Sequence, residues 1–519
     1  MRSKLAIRNS IVNLINQMIC IVLAMVVRRY LIYYLGVEIL GVNATIVEVI
    51  NMLALSELGI QYSISYRLYK PIAEGDEAKI GEIFTLFKKA YRIVGTAIII
   101  GGIACIPFIH LIVNTTIDMK IVYLVYIIQL TATAAAYYVN YYRTLLGAYQ
   151  NQYFCTTVDI FFNIAIYAIK FIVIIYARSY ILYLLLQFVQ LFGSNYIISR
   201  YCKKKYPLVL KKFETSKEEK VNLISDLKEI VLGNVSGYVY RSTDSMVISA
   251  FCGSLLVGLL SNYKTITQSI RQLINIVNSS LNPTWGNFLS EEKDTNRIKE
   301  MFHMFIFLQF VICSIMLIPI LGLADDFVIM WIGEEYVISP LLLGLIVADI
   351  YMNTVHEPNC MIMRGYGMFK EDKWISAMAA GVNLISSIIL VQFMGIEGVL
   401  LGTLFALGIY WIGRSYVVNK KCFEGKVSVY IQYWLLNVIY TVAFVAITYA
   451  VKHIICYVVI ANPILQFICR GLVAELVIAL LIIIFFGRTK NMQKAFNTIF
   501  KPYLQKIRKK GNNKNDKEY

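Results

Sequence analysis

Long apolar segments recur along the whole chain, and short polar connections separate them. A helix needs about 20 apolar residues to cross a bilayer, and each of these segments is long enough. The pattern predicts fourteen spans, at about 11–35, 40–66, 83–112, 120–143, 153–177, 179–200, 228–252, 255–282, 301–323, 338–362, 373–394, 397–418, 428–452 and 463–486. The turns at Ala177–Ser179 and Met394–Glu397 are nearly absent. We therefore predict an all-α polytopic membrane protein.

Predicted span eight carries a polar stripe. Its members recur at steps of four and three residues, which places them on one helix face. They are Lys264, Gln268, Arg271, Asn275, Asn278 and Asn282. A cation at the centre of a bilayer costs about 2.5–3.5 kcal/mol on insertion scales, so the stripe should avoid lipid. It either lines a water-filled cavity or forms a polar seam between packed helices.

Spans one and two carry charged residues at similar depth. Arg28 and Arg29 lie near the outer end of span one, and Glu48 in span two is a candidate partner. Neighbouring helix positions point in different directions, so at most one of the two arginines faces straight inward. The alternative is that both side chains reach toward the outer surface.

Span five carries Asp159, Asn163 and Lys170 on one face. They either line a pathway or extend separately toward the two membrane surfaces. In span seven, Arg241 either pairs with Asp244 along the helix or faces the same cavity as span eight. In the second case Arg241 and Arg271 lie at similar depth, and an anion between them would relieve their repulsion. Arginine suits phosphate or pyrophosphate in this role.

Composition and charge agree with the membrane interpretation. The chain is 58% hydrophobic and only 16% charged, and its net charge is +17. The cations concentrate in every second connection and in the tail after Gly487. This alternation predicts that both termini face the cytoplasm. The positive charge is thus explained by topology and contact with anionic lipids, and no nucleic-acid partner is expected. One predicted outer connection is acidic, with Asp325, Asp326, Glu334 and Glu335.

The longest charged connection divides the chain after six spans. We predict a six-helix lobe over residues 1–200, a linker over 201–227 and a second six-helix lobe over 228–418. A helix pair over 419–487 and a basic cytoplasmic tail over 488–519 complete the chain. The second lobe faintly repeats the first. Leu35-Gly36-x4-Gly41 corresponds to Cys252-Gly253-x4-Gly258, and Asn163 corresponds to Asn383.

The sequence has no recognisable catalytic or cofactor motif. The ten cysteines are scattered without metal or redox spacing, and the four histidines form no cluster. No P-loop, Ser-His-Asp triad or paired carboxylate pattern is present, which argues against ATP hydrolysis and enzyme activity. We expect neither a cofactor nor a metal.

Several stretches carry a resemblance to a known family. They are YYLGVEILGVNA at 33–44, SELGIQYSISYRLYKPIA at 56–73, SNYKTITQSI at 261–270, PTWGNFLSEE at 283–292, GVNLISS at 381–387 and GIEGVLLGT at 395–403. Together the chain resembles the Wzx-like oligosaccharide flippases of capsule and O-antigen export. That family belongs to the superfamily of MATE drug exporters and the lipid II flippase. The resemblance implies two six-helix lobes around a central cavity, a final helix pair and alternating access.

The resemblance also implies a substrate. Undecaprenyl-pyrophosphate-linked oligosaccharide units would be carried across the cytoplasmic membrane, with membrane lipids and other polysaccharide assembly proteins as further partners. The residues that fit a cationic cavity by type and place are Arg28, Arg29, Arg241, Lys264, Gln268, Arg271 and Asn275. Candidates for ion coupling are Glu48, Asp159 and Asp244. One alternative is a MATE-type exporter of organic cations, which would require an acidic cavity. The other is a membrane polysaccharide polymerase, which would usually require a large outer loop.

Overall fold

A computed structural model describes residues 2–54, 67–207, 211, 213 and 243–497. Most of these residues lie in helices, and no strand occurs among them. Within these ranges, nine helices are long and apolar enough to cross a membrane. The all-α polytopic prediction is confirmed.

Several predicted spans fall outside these nine helices for identifiable reasons. The helical stretch Lys370–Cys422 is counted once, although it contains predicted spans eleven and twelve. The helix Ser254–Glu291 carries the polar stripe, which lowers its apolar content. The end of predicted span two and the start of predicted span seven lie outside the described residues.

Contacts between residues divide the chain into two compact units. Unit 1 comprises Met1–Tyr263 and Leu384–Val399, and unit 2 comprises Lys264–Asn383 and Leu400–Tyr519. The division expected from sequence, with lobes over 1–200 and 228–418, stays a prediction. Most of the predicted linker and most of the predicted tail lie outside the described residues.

Unit 1 is an assembly of long apolar helices and two short ones. They are α1 (Arg2–Leu35), α2 (Glu38–Leu53), α3 (Glu77–Cys105), α4 (Ile109–Ile112), α5 (Met119–Val139), α6 (Tyr141–Ala148), α7 (Gln152–Ile172) and α8 (Tyr180–Lys205). Side-chain caps fix three of their starts: Asp76, Asp118 and Ser179 accept hydrogen bonds from backbone N–H groups of α3, α5 and α8. Such caps satisfy N–H groups that have no partner inside the helix. In this unit α1 packs along α7, α3 along α5, and α8 along both α5 and α7.

Two stretches of unit 1 that begin at glycine turns pack against each other. Gly36 after α1 and Gly253 before α9 (Ser254–Glu291) have φ values of 79° and 93°, which L side chains rarely adopt. Gly41 lies against the carbonyl oxygen of Ser254, and Gly258 lies against the carbonyl oxygen of Val37. A Cβ atom at either position would overlap that oxygen. The two stretches related by the sequence repeat therefore touch each other through the same pair of positions.

A short loop holds these turns together. Asn114 accepts a hydrogen bond from the backbone N–H of Ser254 at 2.7 Å. Thr115 and Thr116 donate hydrogen bonds of 2.6–2.7 Å to the carboxylate of Glu38 at the start of α2. Burial acts to raise the pKa of Glu38, but these bonds hold it below its usual range.

Unit 2 contains the larger part of α9 and most of the remaining helices. They are α10 (Thr295–Trp331), α11 (Pro340–Val355), α12 (Glu357–Gly365), α13 (Phe369–Cys422), α14 (Val427–Ile455), α15 (Pro463–Phe486) and α16 (Lys490–Ala495). The middle of α13, Leu384–Val399, belongs to unit 1. In its core α10 packs against α14 and α15. The ring of Phe310 lies 5.0 Å from that of Tyr440 and 5.2 Å from that of Phe486. Aromatic rings at these distances add favourable edge and stacking contacts to the apolar area they bury.

The helix α13 contains a break at Gly395, where φ is 59° and ψ is −134°. The side chain of Asn383 donates to Thr403 at 3.1 Å, and that of Ser387 donates to the carbonyl of Val399 at 3.2 Å. Both hydrogen bonds join a residue before Gly395 to a residue after it, so the two halves of α13 run antiparallel. The turn predicted at Met394–Glu397 is therefore real.

Asp325 and Asp326 differ from expectation. The sequence places them in an outer connection, whereas α10 continues through both residues to Trp331. Asp326 accepts a hydrogen bond of 2.6 Å from the guanidinium of Arg470 on α15. This charge pairing lets α10 extend beyond its apolar core.

Candidate functional site

The polar stripe predicted on span eight lies on the single continuous helix α9. The side chains of Gln268 and Asn275 are exposed, and those of Lys264 and Arg271 are half-buried. Asn278 is buried and accepts a hydrogen bond of 2.8 Å from Gln309 on α10. The stripe is therefore partly accessible from Lys264 to Asn275, and it contacts α10 at Asn278.

Arg271 has a partner that sequence reasoning missed. Its guanidinium donates a hydrogen bond to the carboxylate of Asp349 on α11. Asn353, one turn further along α11, donates to the other oxygen of Asp349 at 2.9 Å. A lone carboxylate in the apolar run PLLLGLIVADIYMNTV was the available signal. Such a residue at membrane depth usually has a cationic partner.

The two arginines of α1 have different surroundings. Arg28 donates to Asn262 at 2.6 Å through Nε and also donates to Ser261. Both partners lie on α9 within unit 1. The side chain of Arg29 is exposed. The neighbours thus point in different directions, and Arg28 is the one that contacts the start of α9.

The remaining predicted residues are scattered. Asp244 is buried and Glu48 is half-buried, both in unit 1. Arg241 lies outside the described residues. Lys264, Gln268, Arg271 and Asn275 belong to unit 2, whereas Arg28, Arg29, Glu48, Asp159 and Asp244 belong to unit 1.

Unit 1 contains an open cavity of about 580 Å³, which the sequence did not reveal as a unit. Amide side chains dominate its lining. The lining residues are Asn16, Gln129, Ala132, Thr133, Asn140, Arg143, Asp159, Asn163, Gln187, Gln190, Leu191, Ser194 and Asn195. They come from α1, α5, α6, α7 and α8 and from Asn140 at the junction of α5 and α6.

One ion pair lies at the wall of this cavity. Arg143 on α6 donates two hydrogen bonds to Asp159 on α7, at 2.6 and 2.8 Å. Its guanidinium also donates to Asn195 at 2.8 Å and to Ser194 at 3.0 Å. Predicted span four ends at Arg143, and α6 holds this residue against α7 and α8. A cation bound by Asp159 would have to compete with this bidentate guanidinium.

Asn163 connects three helices at the same cavity. Its amide donates to Asn16 of α1 at 3.1 Å, and its oxygen accepts from Gln190 of α8. The corresponding Asn383 bonds to Thr403, across the break in α13. In both places the asparagine joins its helix to the next membrane helix.

Lys170, predicted on the same face as Asp159 and Asn163, lies outside this cavity. Its side chain is buried, and its ammonium lies 4.5 Å from the ring centre of Tyr183 and 5.5 Å from that of Tyr167. The rings supply a cation–π environment. The structure thus separates Lys170 from the two polar residues that line the cavity. No cluster of metal-binding side chains occurs among the residues that the structure describes.

Comparison with known proteins gives a consistent result. A sequence model of the family described as polysaccharide biosynthesis protein matches residues 6–289. A comparison with curated proteins yields no match to this chain. The fold is similar to a solved structure of the lipid II flippase MurJ in an inward closed conformation, at 14% identity and a TM-score of 0.67. That alignment covers 93% of this chain and 99% of the flippase.

Two other solved structures share the fold. An inward-facing multidrug resistance MATE transporter of the MOP superfamily aligns at 14% identity and a TM-score of 0.61, over 82% of this chain and 98% of that one. A MOP superfamily transporter from Pyrococcus furiosus aligns at 13% identity and a TM-score of 0.54, over 80% of this chain and 96% of that one. The chain therefore shares the polytopic helical fold of these structures.

Proposed function

Because this chain belongs to the family of polysaccharide biosynthesis proteins, we propose that it flips undecaprenyl-pyrophosphate-linked oligosaccharide repeat units across the cytoplasmic membrane by alternating access. The translocated unit would then enter assembly of a cell-surface polysaccharide. The observation that carries the proposal is the accessible polar face of α9 from Lys264 to Asn275.

The chemistry of this face fits a substrate with an anionic group and sugars. Lys264 and Arg271 offer cationic donors, while the amides of Gln268 and Asn275 both donate and accept hydrogen bonds. A pyrophosphate would bind the cations, and sugar hydroxyls would bind the amides. The polyprenyl chain would stay in the lipid.

Asp349 gives this mechanism a resting state. Without an anionic substrate, Asp349 neutralises Arg271. A pyrophosphate that approached Arg271 would compete with this carboxylate, and release of the substrate would restore the ion pair. Exchange between two anionic partners keeps the guanidinium paired at each stage, which lowers the cost of carrying it at membrane depth.

The distribution of cations supports an orientation with both termini in the cytoplasm. In that orientation Asn282 lies toward the cytoplasm and Lys264 toward the outer surface. Ion coupling through Glu48, Asp159 or Asp244 is part of the same proposal, and the Arg143–Asp159 pair gives Asp159 a defined partner to exchange.

The test is accumulation of lipid-linked repeat units in the producing cell. We expect Lys264→Ala and Arg271→Ala to block export and cause accumulation. Lys420→Ala removes the same charge at an exposed site outside the stripe, so we expect normal export from it. Normal export by both stripe variants at normal expression would overturn the cationic mechanism.

The similarity to MATE transporters motivates a second outcome. If the deletion strain exports polysaccharide normally but becomes sensitive to organic cations, the protein is an exporter of those compounds. The cations on this face argue against that function, because Lys264 and Arg271 would repel a cationic drug.

A further inference from the structure

We infer that the cavity of unit 1 is a binding subsite for uncharged sugar residues of the transported saccharide. This inference rests on the proposed function and deepens it. It adds α1, α5, α6, α7 and α8 to the helices that recognise sugar.

Charge balance disfavours a phosphate or an organic cation as the ligand of this cavity. Arg143 and Asp159 are the only charged residues in the described lining of the cavity. They neutralise each other through two hydrogen bonds, and Ser194 and Asn195 occupy further positions on the guanidinium. A phosphate would meet Asp159, and an organic cation would meet Arg143. The cavity therefore favours a polar ligand without charge.

Unused hydrogen-bonding groups indicate the kind of polar ligand. The nearby oxygen of Asn140 has no hydrogen-bond partner in the described part of the chain, but it is buried behind the accessible surface. Thr133 and Gln187 line this cavity and present a hydroxyl and an amide, which both donate and accept. Sugar hydroxyls also do both, so they can satisfy such groups without bringing a charge.

Neighbouring amides are held in place by the protein. Asn163 bonds to Asn16 and Gln190, and Gln129 donates to Asn43 at 2.6 Å. These contacts fix part of the wall, so the ligand is not needed to order it. Preorganised polar groups lose less conformational freedom on binding.

The dimensions and apolar content also suit a saccharide. The volume of about 580 Å³ lies within the range of about 300–1,000 Å³ that is usual for small-molecule sites. Ala132 and Leu191 supply small apolar surfaces for the C–H faces of a sugar ring. The described lining contains no aromatic side chain, so recognition relies on hydrogen bonds.

Photo-crosslinking in the producing cell tests the inference with the native substrate. Benzoylphenylalanine would replace Thr133 in the cavity, Gln268 on α9 or Phe161 on α7, whose side chain is 69% exposed. The adducts would be analysed for sugar in the normal strain and in a strain that cannot begin the repeat unit. We expect sugar adducts at positions 133 and 268, only in the normal strain, and none at position 161.

The outcomes separate this inference from the proposed function. Sugar adducts at 268 without any at 133 would overturn the subsite and leave the flippase function standing. Absence of sugar adducts at both positions would count against the function itself. An adduct at 133 that persists when the repeat unit is not made would also overturn the subsite.

A second measurement uses substitutions. Gln187→Leu keeps the approximate size but removes both polar groups. We expect export to slow about fivefold, which corresponds to the loss of one neutral hydrogen bond. The melting temperature should not change. Gln187→Asn should restore part of the rate. Normal export by Gln187→Leu would contradict a binding role, and equal impairment by Gln187→Asn and Gln187→Leu would indicate a packing role.

Discussion

Arg271 on α9 and Asp349 on α11 form an ion pair within unit 2. Both side chains are partly exposed, so the pair itself adds little stability, about 0–1 kcal/mol. The pair matters because it neutralises Arg271, the most central cation of the polar stripe.

The two members of this pair should have opposite effects on substrate retention. Arg271→Ala removes a charged donor that contributes about 1.5–3 kcal/mol, so bound lipid-linked saccharide should fall about tenfold or more. Asp349→Asn removes the competing carboxylate, so retention should rise while export slows. The measurement is the amount of lipid-linked saccharide that copurifies with each variant. Equal loss of retention in both variants would contradict exchange between Asp349 and the substrate.

Arg143 and Asp159 should be strongly coupled in stability. Either single change leaves one partly buried charge without its partner, whereas the double change removes both. We expect a coupling free energy of about 1–3 kcal/mol for Arg143→Met and Asp159→Asn. Thermal unfolding of the purified single and double variants measures it. Additive effects would mean that the pair is dispensable for the wall of the cavity.

The two reciprocal glycines should tolerate no side chain. Gly41→Ala and Gly258→Ala each place a Cβ against a backbone oxygen of unit 1, which cannot move as a flexible side chain would. We expect a loss of about 1–3 kcal/mol, typical of overpacking. Gly408 lies in a helix and has no atom within 4 Å of an added Cβ. Gly408→Ala should therefore be neutral or stabilising by about 0.5–1 kcal/mol. Melting temperatures distinguish these cases, and similar values for Gly41→Ala and Gly408→Ala would refute the close contact.

Glu38 should make the stability of unit 1 depend on pH. Its pKa is lowered in the folded state, so its contribution is present above the unfolded pKa of about 4.3 and is lost as the pH falls through the folded value. Glu38→Gln should reduce stability at pH 7 and weaken the acid dependence. Melting curves from pH 7 down to pH 3 measure both effects. An unchanged slope in Glu38→Gln would show that other carboxylates account for the acid response.

Sequence patterns predicted the helices well because hydrophobic length and turn residues are local properties. The break near Gly395 and the turns at Gly36 and Gly253 lie where the pattern indicated. The face of α9 was also readable, since helical spacing alone determines which residues share a side. These features depend on residues close together in the chain.

The pairing of side chains between helices was not readable from the sequence. Asp349 lies 78 residues from Arg271, and no local pattern connects them. Arg143 ends predicted span four, and nothing in the local pattern connects it with Asp159, to which it bonds. The cavity of unit 1 also depends on five helices, and its amides were visible in the sequence only as isolated polar residues.

The reciprocal contact of Gly41 and Gly258 should couple the evolution of two stretches that are far apart in the sequence, 36–41 and 253–258. Each glycine packs against the backbone that opens the other stretch, at Ser254 and at Val37. A substitution that moves one turn alters the space available at the other. A substitution in one stretch should therefore require a compensating substitution in the other. Across related proteins, we expect residues at 36–41 and 253–258 to vary together, and a comparison of homologous sequences can measure that covariation.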